Sequence, residues 1–521
     1  MSNVVFDKIN LYYNESKVNK FYILLYAILV LLFSSSMLGI AHFSHFKFIF
    51  IAMAIILVVG IFLINYYSLH DIELYKVVFI MILLIALMAA FTNPILDGPD
   101  EEEHLVRALL ISEGDLFPQY IDNSFHSNQF VDDLLNNRFS TFLDATVSNQ
   151  PMDTADSTFY GAFVHNPFFA YLLLSLGVLL ANLFSLSAVW AMWLPRFFCV
   201  LIYAFCAAIA VKKAPYGKIL FIAMACIPLA LFQASVISID YLINGLALII
   251  ISHILYFFKY PDKITNKDIL IYLVLCILIG LCKNTCFIFI LFLLFLPIKK
   301  LKNKKIFLYC VIAVIVSVVI ALLWSKFYAN PNYLNSWRLS YMVTAHVNST
   351  LQIDFIFNHI PYALSVILSN VFGDFIQNLI YLNGFSFPHD NFFQFSPIMG
   401  NLYLVFLGFL FLFYPLDEKL SINLRLSSLI LSFIFILGTV IIFYLTWTPV
   451  GGSSVLGLQT RYYIPVYFIF PYILNLSSKF NLNKFLSSKF NLDNFSIDKM
   501  VIVFTIAFAF SLVISNLFHY F

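Results

Sequence analysis

Long apolar runs separated by short polar segments dominate the 521-residue chain. A run of about 20 apolar residues is long enough to cross a bilayer as an α-helix. Apolar runs that predict a membrane span occur at residues 21–40, 47–66, 74–93, 192–211, 219–237, 241–258, 306–326, 401–415, 425–447, 462–476 and 500–518. The pattern therefore predicts an all-α polytopic integral membrane protein.

A further apolar region, residues 268–298, is interrupted in its middle by Lys283 and Asn284. We expect two short helices with this polar pair at the turn between them. A helix of about 15 residues spans only about 22 Å, less than the hydrocarbon core of about 30 Å. The turn should therefore lie below the external surface, in a water-filled cavity, because a charge in lipid is unfavourable. Counting both helices, the sequence predicts about 13 transmembrane helices.

The distribution of charge between the runs predicts the orientation. The segment Lys299 to Lys305 is rich in lysine and indicates a cytoplasmic loop, whereas residues 94–166 contain 13 acidic residues and only two arginines. We expect a cytoplasmic N-terminus, an external C-terminus and a large first external loop with short amphipathic helices. This topology requires that the apolar segment 166–184 re-enters the membrane or lies on its surface without crossing it.

These boundaries divide the chain into five regions. They are the N-terminal transmembrane helices (1–93), the external acidic loop (94–190), the central transmembrane helices (191–326), a second external region (327–400) and the C-terminal transmembrane helices (401–521).

Composition agrees with a membrane protein. Hydrophobic residues make up 62% of the chain and charged residues only 11%, whereas soluble domains are about 25% charged. The net charge of +2 gives no basic surface for nucleic acid. All seven cysteines lie in apolar segments, so no disulfide framework is expected, and we interpret Cys282 and Cys286 as packing residues rather than zinc ligands.

The most polar stretch is "GPDEEEHLVRALLISEGDLFPQ", which directly follows an apolar run. Asp100 is placed to cap a helix whose third residue is Glu103, and Gly114 is placed to end it. At 100° per residue, Asp100, His104 and Arg107 fall on one edge of this helix. The alternative is that the acidic residues only complement the helix dipole, which is the interpretation we favour for Glu102 and Glu103.

Other polar residues are predicted to lie at the same membrane boundary. Asp240 begins one apolar run, and Arg461 with Tyr462 begins another, in "QTRYYIP". Lys283 and Asn284 approach from the interrupted hairpin. The alternatives are an interfacial arginine in an aromatic belt and a simple charge at a hairpin turn. If these groups converge, a carboxylate can accept a proton from a hydroxyl group while the cations neutralise a phosphate.

Several motifs together are similar to known membrane families. "PDEEEHLVRALLISEGDLFP" resembles the first external loop of the GT-C superfamily of membrane glycosyltransferases. "PDEEEH", "NPFFAYL", the aspartate of "ASVISID", "LCKNT" and "QTRYYIP" resemble, over residues 90–475, an uncharacterised bacterial family of polytopic proteins defined as a domain of unknown function. That family carries glycine at the position of Thr460 and a small residue or proline at the positions of Glu102 and Glu103.

The GT-C resemblance implies a GT-C-like fold and a polyprenyl-phosphate sugar donor. It implies that Asp100 is the leading catalytic carboxylate with Glu101 as its neighbour, and that Arg461 and Lys283 hold phosphate. His104, Arg107, Asp240, Asn284 and Tyr462 would contribute to substrate binding. No metal-ligand spacing is present, and a divalent cation remains an open question because superfamily members differ.

We therefore expect a transferase of the bacterial cell membrane that moves a sugar to an external envelope or cell-wall glycan. The alternatives are a lipid-linked polysaccharide polymerase or ligase, a lipid-linked oligosaccharide flippase or other transporter, and a non-catalytic envelope assembly factor. A transporter should place charges along the middle of the bilayer, whereas these cluster toward one face.

Overall fold

The computed structural model describes residues 2–41, 43–373, 375–382, 397–416, 418–477 and 496–521. These residues form a predominantly α-helical protein with one two-stranded antiparallel sheet. The helices of the N-terminal half are α1 Ser2–Val18, α2 Lys20–Met37, α3 Phe46–Leu69, α4 Leu74–Thr92, α5 Glu101–Ser112, α6 Gln129–Asn136, α7 Leu172–Leu183, α8 Ala188–Lys213, α9 Lys218–Ala225, α10 Pro228–Ser235 and α11 Asp240–Lys259.

The C-terminal half continues in the same manner, with shorter elements in its middle. Its helices are α12 Asn266–Cys282, α13 Lys305–Trp324, α14 Asn330–Leu334, α15 Arg338–Thr344, α16 Ser349–Asn358, α17 Ile360–Phe372, α18 Phe375–Tyr381, α19 Pro397–Leu412, α20 Ile422–Thr446, α21 Ile464–Tyr467, α22 Phe470–Leu474 and α23 Ile497–Tyr520. The strands are β1 Phe125–Asn128 and β2 Asp156–Phe159.

Among the described residues, nine helices are long and apolar enough to cross a membrane, and a bent pair, α9 with α10, would make a tenth. The protein is thus an all-α polytopic membrane protein, as the sequence predicts. The number of 13 spans stays a prediction. One candidate span, Ile360–Tyr381, falls in the region 327–400 that the sequence assigns to the outside; part of that region lies outside the described residues.

The interrupted region 268–298 forms a hairpin. Lys283 adopts an extended conformation between α12 and a 3₁₀-helix over Asn284–Phe295. The Tyr272 hydroxyl donates to the Phe289 carbonyl oxygen at 2.6 Å, a contact that a continuous helix could not make because the two residues would lie about 25 Å apart. The predicted turn at Lys283 is therefore confirmed.

The segment predicted to re-enter the membrane forms a 3₁₀ turn, Phe168–Tyr171, followed by α7. Together they make a 16-residue apolar helix, shorter than the spans described above. This helix packs against α5 and α8. Close packing is possible because Gly177 lies against the backbone of Pro195 in α8. That residues 166–184 do not cross the membrane stays a prediction.

The core of the protein surrounds α8, which packs against α4, α7 and α11. Helices α11 and α23 are almost wholly buried, as expected for helices surrounded by protein rather than lipid. The end of α23 reaches the acidic loop, where the Tyr520 hydroxyl donates to Asp97 Oδ1 at 3.2 Å. The acidic loop and the end of α23 thus lie on the same side, while the cytoplasmic N-terminus stays a prediction.

Candidate functional site

The site begins where α4 ends and α5 starts. Asp100 directly precedes α5 and has a left-handed backbone, with φ 55° and ψ 26°, a conformation that aspartate adopts more readily than most residues. Its side chain makes no hydrogen bond to the helix N-terminus, so the predicted capping box is wrong. The predicted end of the helix is confirmed, because Gly114 has φ 92° and Asp115 N–H donates to the Leu110 carbonyl oxygen at 2.9 Å.

The Asp100 carboxylate instead contacts Arg461, 361 positions later in the chain. Arg461 Nη2 lies 3.2 Å from Asp100 Oδ2, and its Nη1 lies 3.5 Å from Asp240 Oδ2. The arginine side chain is only 6% exposed, compared with 41% for Asp100 and 14% for Asp240. The structure therefore brings together three of the residues that the sequence predicted, with one guanidinium between two carboxylates.

A second cation approaches the same place from the hairpin. Lys283 Nζ donates to the Tyr462 carbonyl oxygen at 3.3 Å and lies 4.2 Å from the centre of the Tyr462 ring. The guanidinium of Arg461 lies 5.2 Å from the same ring. Both cations therefore lie against or beside the aromatic ring of Tyr462. The neighbouring Asn284 is exposed and makes none of these contacts, so its predicted role in binding has no support from the geometry.

A third cation, Arg338, was missed by the sequence analysis. It begins α15 and is only 6% exposed. Four aromatic rings surround its guanidinium carbon, with centroids at 4.4 Å for Trp337, 4.7 Å for Trp447, 5.4 Å for Tyr333 and 5.9 Å for Phe163. Its Nη1 atom is buried without a hydrogen-bond partner within the described chain, which is uncommon for a buried polar atom.

An aromatic wall, formed by Trp447, Phe443 and Tyr462, connects Arg338 with Arg461. The rings of Trp447 and Phe443 are stacked 6.2 Å apart, and those of Phe443 and Tyr462 are stacked 5.0 Å apart. All three rings are partly exposed. The two arginines therefore stand at opposite ends of one continuous aromatic surface.

The charges around Asp100 keep it ionised. Burial alone would raise its pKa, but the nearby positive charges of Arg461 and Arg338 lower the pKa below the ordinary value. Asp100 is therefore a carboxylate at neutral pH, paired with Arg461 and further stabilised by the positive charge of Arg338.

Glu103 has a different environment one turn further along α5. Its Oε1 accepts a hydrogen bond from Trp337 Nε1 at 3.0 Å, and the residue lines a small cavity with Arg338 and His165. Burial raises the pKa of Glu103 to about 7, against the opposing effect of Arg338. Glu102 points elsewhere and pairs with Arg138 at 3.1 Å. Both acids therefore have partners beyond the helix dipole.

Glu101 has a structural role in place of the predicted catalytic one. Its side chain is fully buried and forms an ion pair with Arg196, which is also fully buried. It accepts further hydrogen bonds from the backbone N–H groups of Gly98 and Ile237, at 2.9 and 2.8 Å. No position on this carboxylate is left for a substrate, because both oxygens accept two hydrogen bonds each.

His104 and Arg107 also depart from the prediction. Helix α5 is buried on all sides over residues 101–111, so it has no exposed polar edge. His104 Nδ1 is 2.7 Å from the Tyr171 hydroxyl, and burial lowers the pKa of His104 to about 3. Arg107 Nη2 donates to the Leu116 carbonyl oxygen at 3.0 Å. Both residues brace α5 against its neighbours, and neither contacts Asp100 or Arg461 through a hydrogen bond.

The model of a family described as "Predicted membrane protein (DUF2142)" matches residues 82–470, which is well over half of the chain and includes Asp100, Asp240, Lys283 and Arg461. The chain belongs to this family. Comparison with curated proteins and with solved structures gives no match.

Membership of the family confirms one resemblance seen in the sequence, that to a polytopic family of unknown function. The description of the family extends to membrane character only, and the GT-C resemblance stays a prediction. Within the described residues, no three histidine, cysteine, aspartate or glutamate side chains are grouped to hold a metal ion. Cys282 and Cys286 are buried among the packed residues of the hairpin.

Proposed function

We propose that the protein is a membrane glycosyltransferase that moves a sugar from a polyprenyl-phosphate donor to an envelope or cell-wall glycan. The observation that carries the proposal is the bridging of Asp100 and Asp240 by Arg461, beside Lys283. The transfer of a sugar from a lipid phosphate to a hydroxyl group requires carboxylates and cations together at one membrane boundary.

In the proposed reaction, the bond between the anomeric carbon of the sugar and the phosphate oxygen breaks, and its electron pair leaves with the lipid phosphate. The acceptor hydroxyl oxygen forms the new bond to that carbon, and its proton passes to the Asp100 carboxylate. Arg461 and Lys283 neutralise the phosphate as it leaves. The planar guanidinium of Arg461 suits two phosphate oxygens at once.

The paired state of Asp100 and Arg461 suggests how the donor prepares the site. Asp100 is the more exposed of the two carboxylates on Arg461, so an arriving phosphate replaces it more easily than Asp240. Asp100 then loses the cation that lowers its pKa most and becomes a stronger base. Donor binding would therefore both fill the phosphate site and activate the acceptor.

The proposal includes a location and partners. The protein would act in a bacterial cell membrane, with the N-terminus cytoplasmic and the site at the external face. Its partners would be the lipid bilayer, the polyprenyl-phosphate sugar and the glycan acceptor on that face. A polymerase, a ligase or a flippase for lipid-linked oligosaccharides would act on a related lipid, and the experiment must separate them.

The test is a transfer assay with purified full-length protein, a panel of radiolabelled polyprenyl-phosphate sugars and a membrane extract as acceptor. Wild type and Asp156→Asn should transfer label, since Asp156 is exposed on β2, whereas Asp100→Asn should not. Failure of every monophosphate donor would overturn the proposal. Activity with a lipid diphosphate oligosaccharide alone would indicate a polymerase or ligase, and translocation without transfer would indicate a flippase.

A further inference from the structure

A second cavity is lined by Gln459 and Thr460, the two residues that precede Arg461 in the chain. It has a volume of about 220 Å³ and lies between α17, α18 and the segment that leads to Arg461. This volume is smaller than that of sites for drug-sized ligands, about 300–1,000 Å³, and so favours a small occupant. Amide and hydroxyl side chains line much of it, namely Asn370, Gln377, Asn378, Gln459 and Thr460. Among the lining residues of the described chain, none carries a charge.

Three of the amides belong to the candidate membrane span Ile360–Tyr381. Amide groups facing lipid would be unfavourable, because hydrocarbon offers them no hydrogen-bond partners. Their presence therefore indicates a hydrated or ligand-filled space. Part of the lining is already fixed, since the Thr460 hydroxyl donates to Asn378 Oδ1 at 2.8 Å. In contrast, Gln459 Oε1 is buried with no hydrogen-bond partner among the described residues, and so is available to a ligand hydroxyl.

We propose that this cavity is a subsite for a neutral sugar ring. Amides offer a donor and an acceptor to each ligand hydroxyl, and two tyrosines of the lining, Tyr381 and Tyr463, provide aromatic surface. The described part of the lining offers no cation to neutralise a phosphate or a carboxylate, so it favours a neutral occupant. The inference rests on the proposed function, in which Arg461, the residue after Thr460, holds the phosphate.

The sugar ring can come from the donor or from the acceptor, and the two sources make different kinetic predictions. If the donor sugar occupies this cavity, substitution of the amides should change the KM for the polyprenyl-phosphate sugar. If the acceptor sugar occupies it, substitution of the amides should change the KM for the glycan. Binding of a free neutral sugar should depend on the amides in either case.

The direct test is saturation-transfer NMR on purified full-length protein, titrated with neutral hexoses, N-acetylhexosamines and their disaccharides. Wild type should bind at least one of these sugars. Asn378→Leu and Gln459→Leu should each weaken that binding about tenfold, the effect of losing a hydrogen bond or two. The control Asn182→Leu, at an exposed position near the end of α7, should bind like wild type. Gel filtration and thermal unfolding would verify that each variant is folded.

The results separate this inference from the proposed function. Unchanged sugar binding in both folded variants, or no sugar binding by wild type, would overturn the subsite. Sugar transfer with unaltered KM values in both variants would also overturn it and leave the proposed function intact. Amide-dependent sugar binding without any transfer would support the subsite and overturn the transferase.

Discussion

Arg196 donates two hydrogen bonds to Glu101, from Nε to Oε1 at 2.8 Å and from Nη2 to Oε2 at 2.7 Å. The remaining hydrogen bonds of Arg196 go to backbone carbonyl oxygens at the end of α4, those of Ala90, Asn93 and Pro94. Because Glu101 also accepts from the backbone ahead of α11, this ion pair joins α4, α5, α8 and the start of α11. It thereby fixes where Asp100 and Asp240 stand relative to each other.

Breaking this ion pair should destabilise the protein strongly. In Glu101→Gln the buried charge of Arg196 loses its counter-ion, which typically costs about 3–5 kcal/mol. We expect a much lower unfolding temperature in detergent than for Glu113→Gln, a control at a partly exposed acid. Combining Glu101→Gln with Arg196→Gln should recover part of the loss, since no unpaired charge remains. Equal stability of Glu101→Gln and wild type would refute the structural role.

Arg461→Lys should retain the fold but lose most of the proposed transfer activity. Lysine keeps the charge, yet its ammonium group cannot contact two carboxylates or two phosphate oxygens in one plane. We expect kcat/KM for the lipid-phosphate donor to fall about 100-fold, as is typical when a group that stabilises the transition state is lost. The measurement is steady-state transfer at varied donor concentration. A loss of less than threefold would show that the planar contacts are dispensable.

Arg338→Gln should mainly weaken donor binding. The substitution removes a cation that acts on Asp100 and whose Nη1 has no partner in the described chain. We expect a rise of about tenfold in the donor KM, and only partial recovery in Arg338→Lys, because lysine does not stack flat against Trp337 and Trp447. Full recovery by lysine would mean that charge alone matters. An unchanged KM in Arg338→Gln would show that this residue takes no part in donor binding.

The titration of Glu103 should be visible in the stability of the protein. Its pKa is about 7 in the folded protein and 4.5 when unperturbed, so the folded state binds the proton more tightly. The stabilisation is fully present below pH 4.5 and is lost as the pH rises toward 7. The unfolding temperature of wild type relative to Glu103→Gln should therefore fall over that window.

Comparison with the variant is necessary because buried histidines act in the opposite sense. Burial lowers the pKa of His104 and that of His165 to about 3, from 6.5, so their contribution is lost as the pH falls below 6.5. The difference between wild type and Glu103→Gln cancels these effects. A difference that stays constant from pH 4.5 to 7 would contradict the assignment to Glu103.

The sequence was most informative where a polar residue ends or interrupts an apolar run. Asp240, Lys283 and Arg461 were found in this way, because each lies at such a boundary and the boundaries of neighbouring helices meet at one membrane face. The same argument gave Asp100 at the end of the third long run. The membrane limits the distance between such residues. Their positions in the sequence therefore already indicate much of the geometry of the candidate site.

What could not be predicted depended on contacts between distant segments. Asp100 and Glu101 are adjacent, yet Asp100 contacts Arg461 and Glu101 contacts Arg196. Only the packing of α8 determines which arginine each residue contacts. Arg338 lies among aromatic residues in a region of mixed polarity, and its approach to α5 requires the packing of segments that are distant in the chain. The amphipathic pattern of α5 was misleading because the helix is enclosed by protein on its polar side as well.

The intrinsic fluorescence of the indole rings beside Arg338 makes ligand binding at the site measurable. Of the five tryptophans in the chain, Trp337 donates a hydrogen bond to Glu103 and both Trp337 and Trp447 contact the Arg338 guanidinium. A cation against an indole ring alters its emission, so an anion that draws Arg338 away from the rings changes the fluorescence of the unlabelled protein. Donor lipids can thus be screened by titration before any sugar or acceptor has been identified.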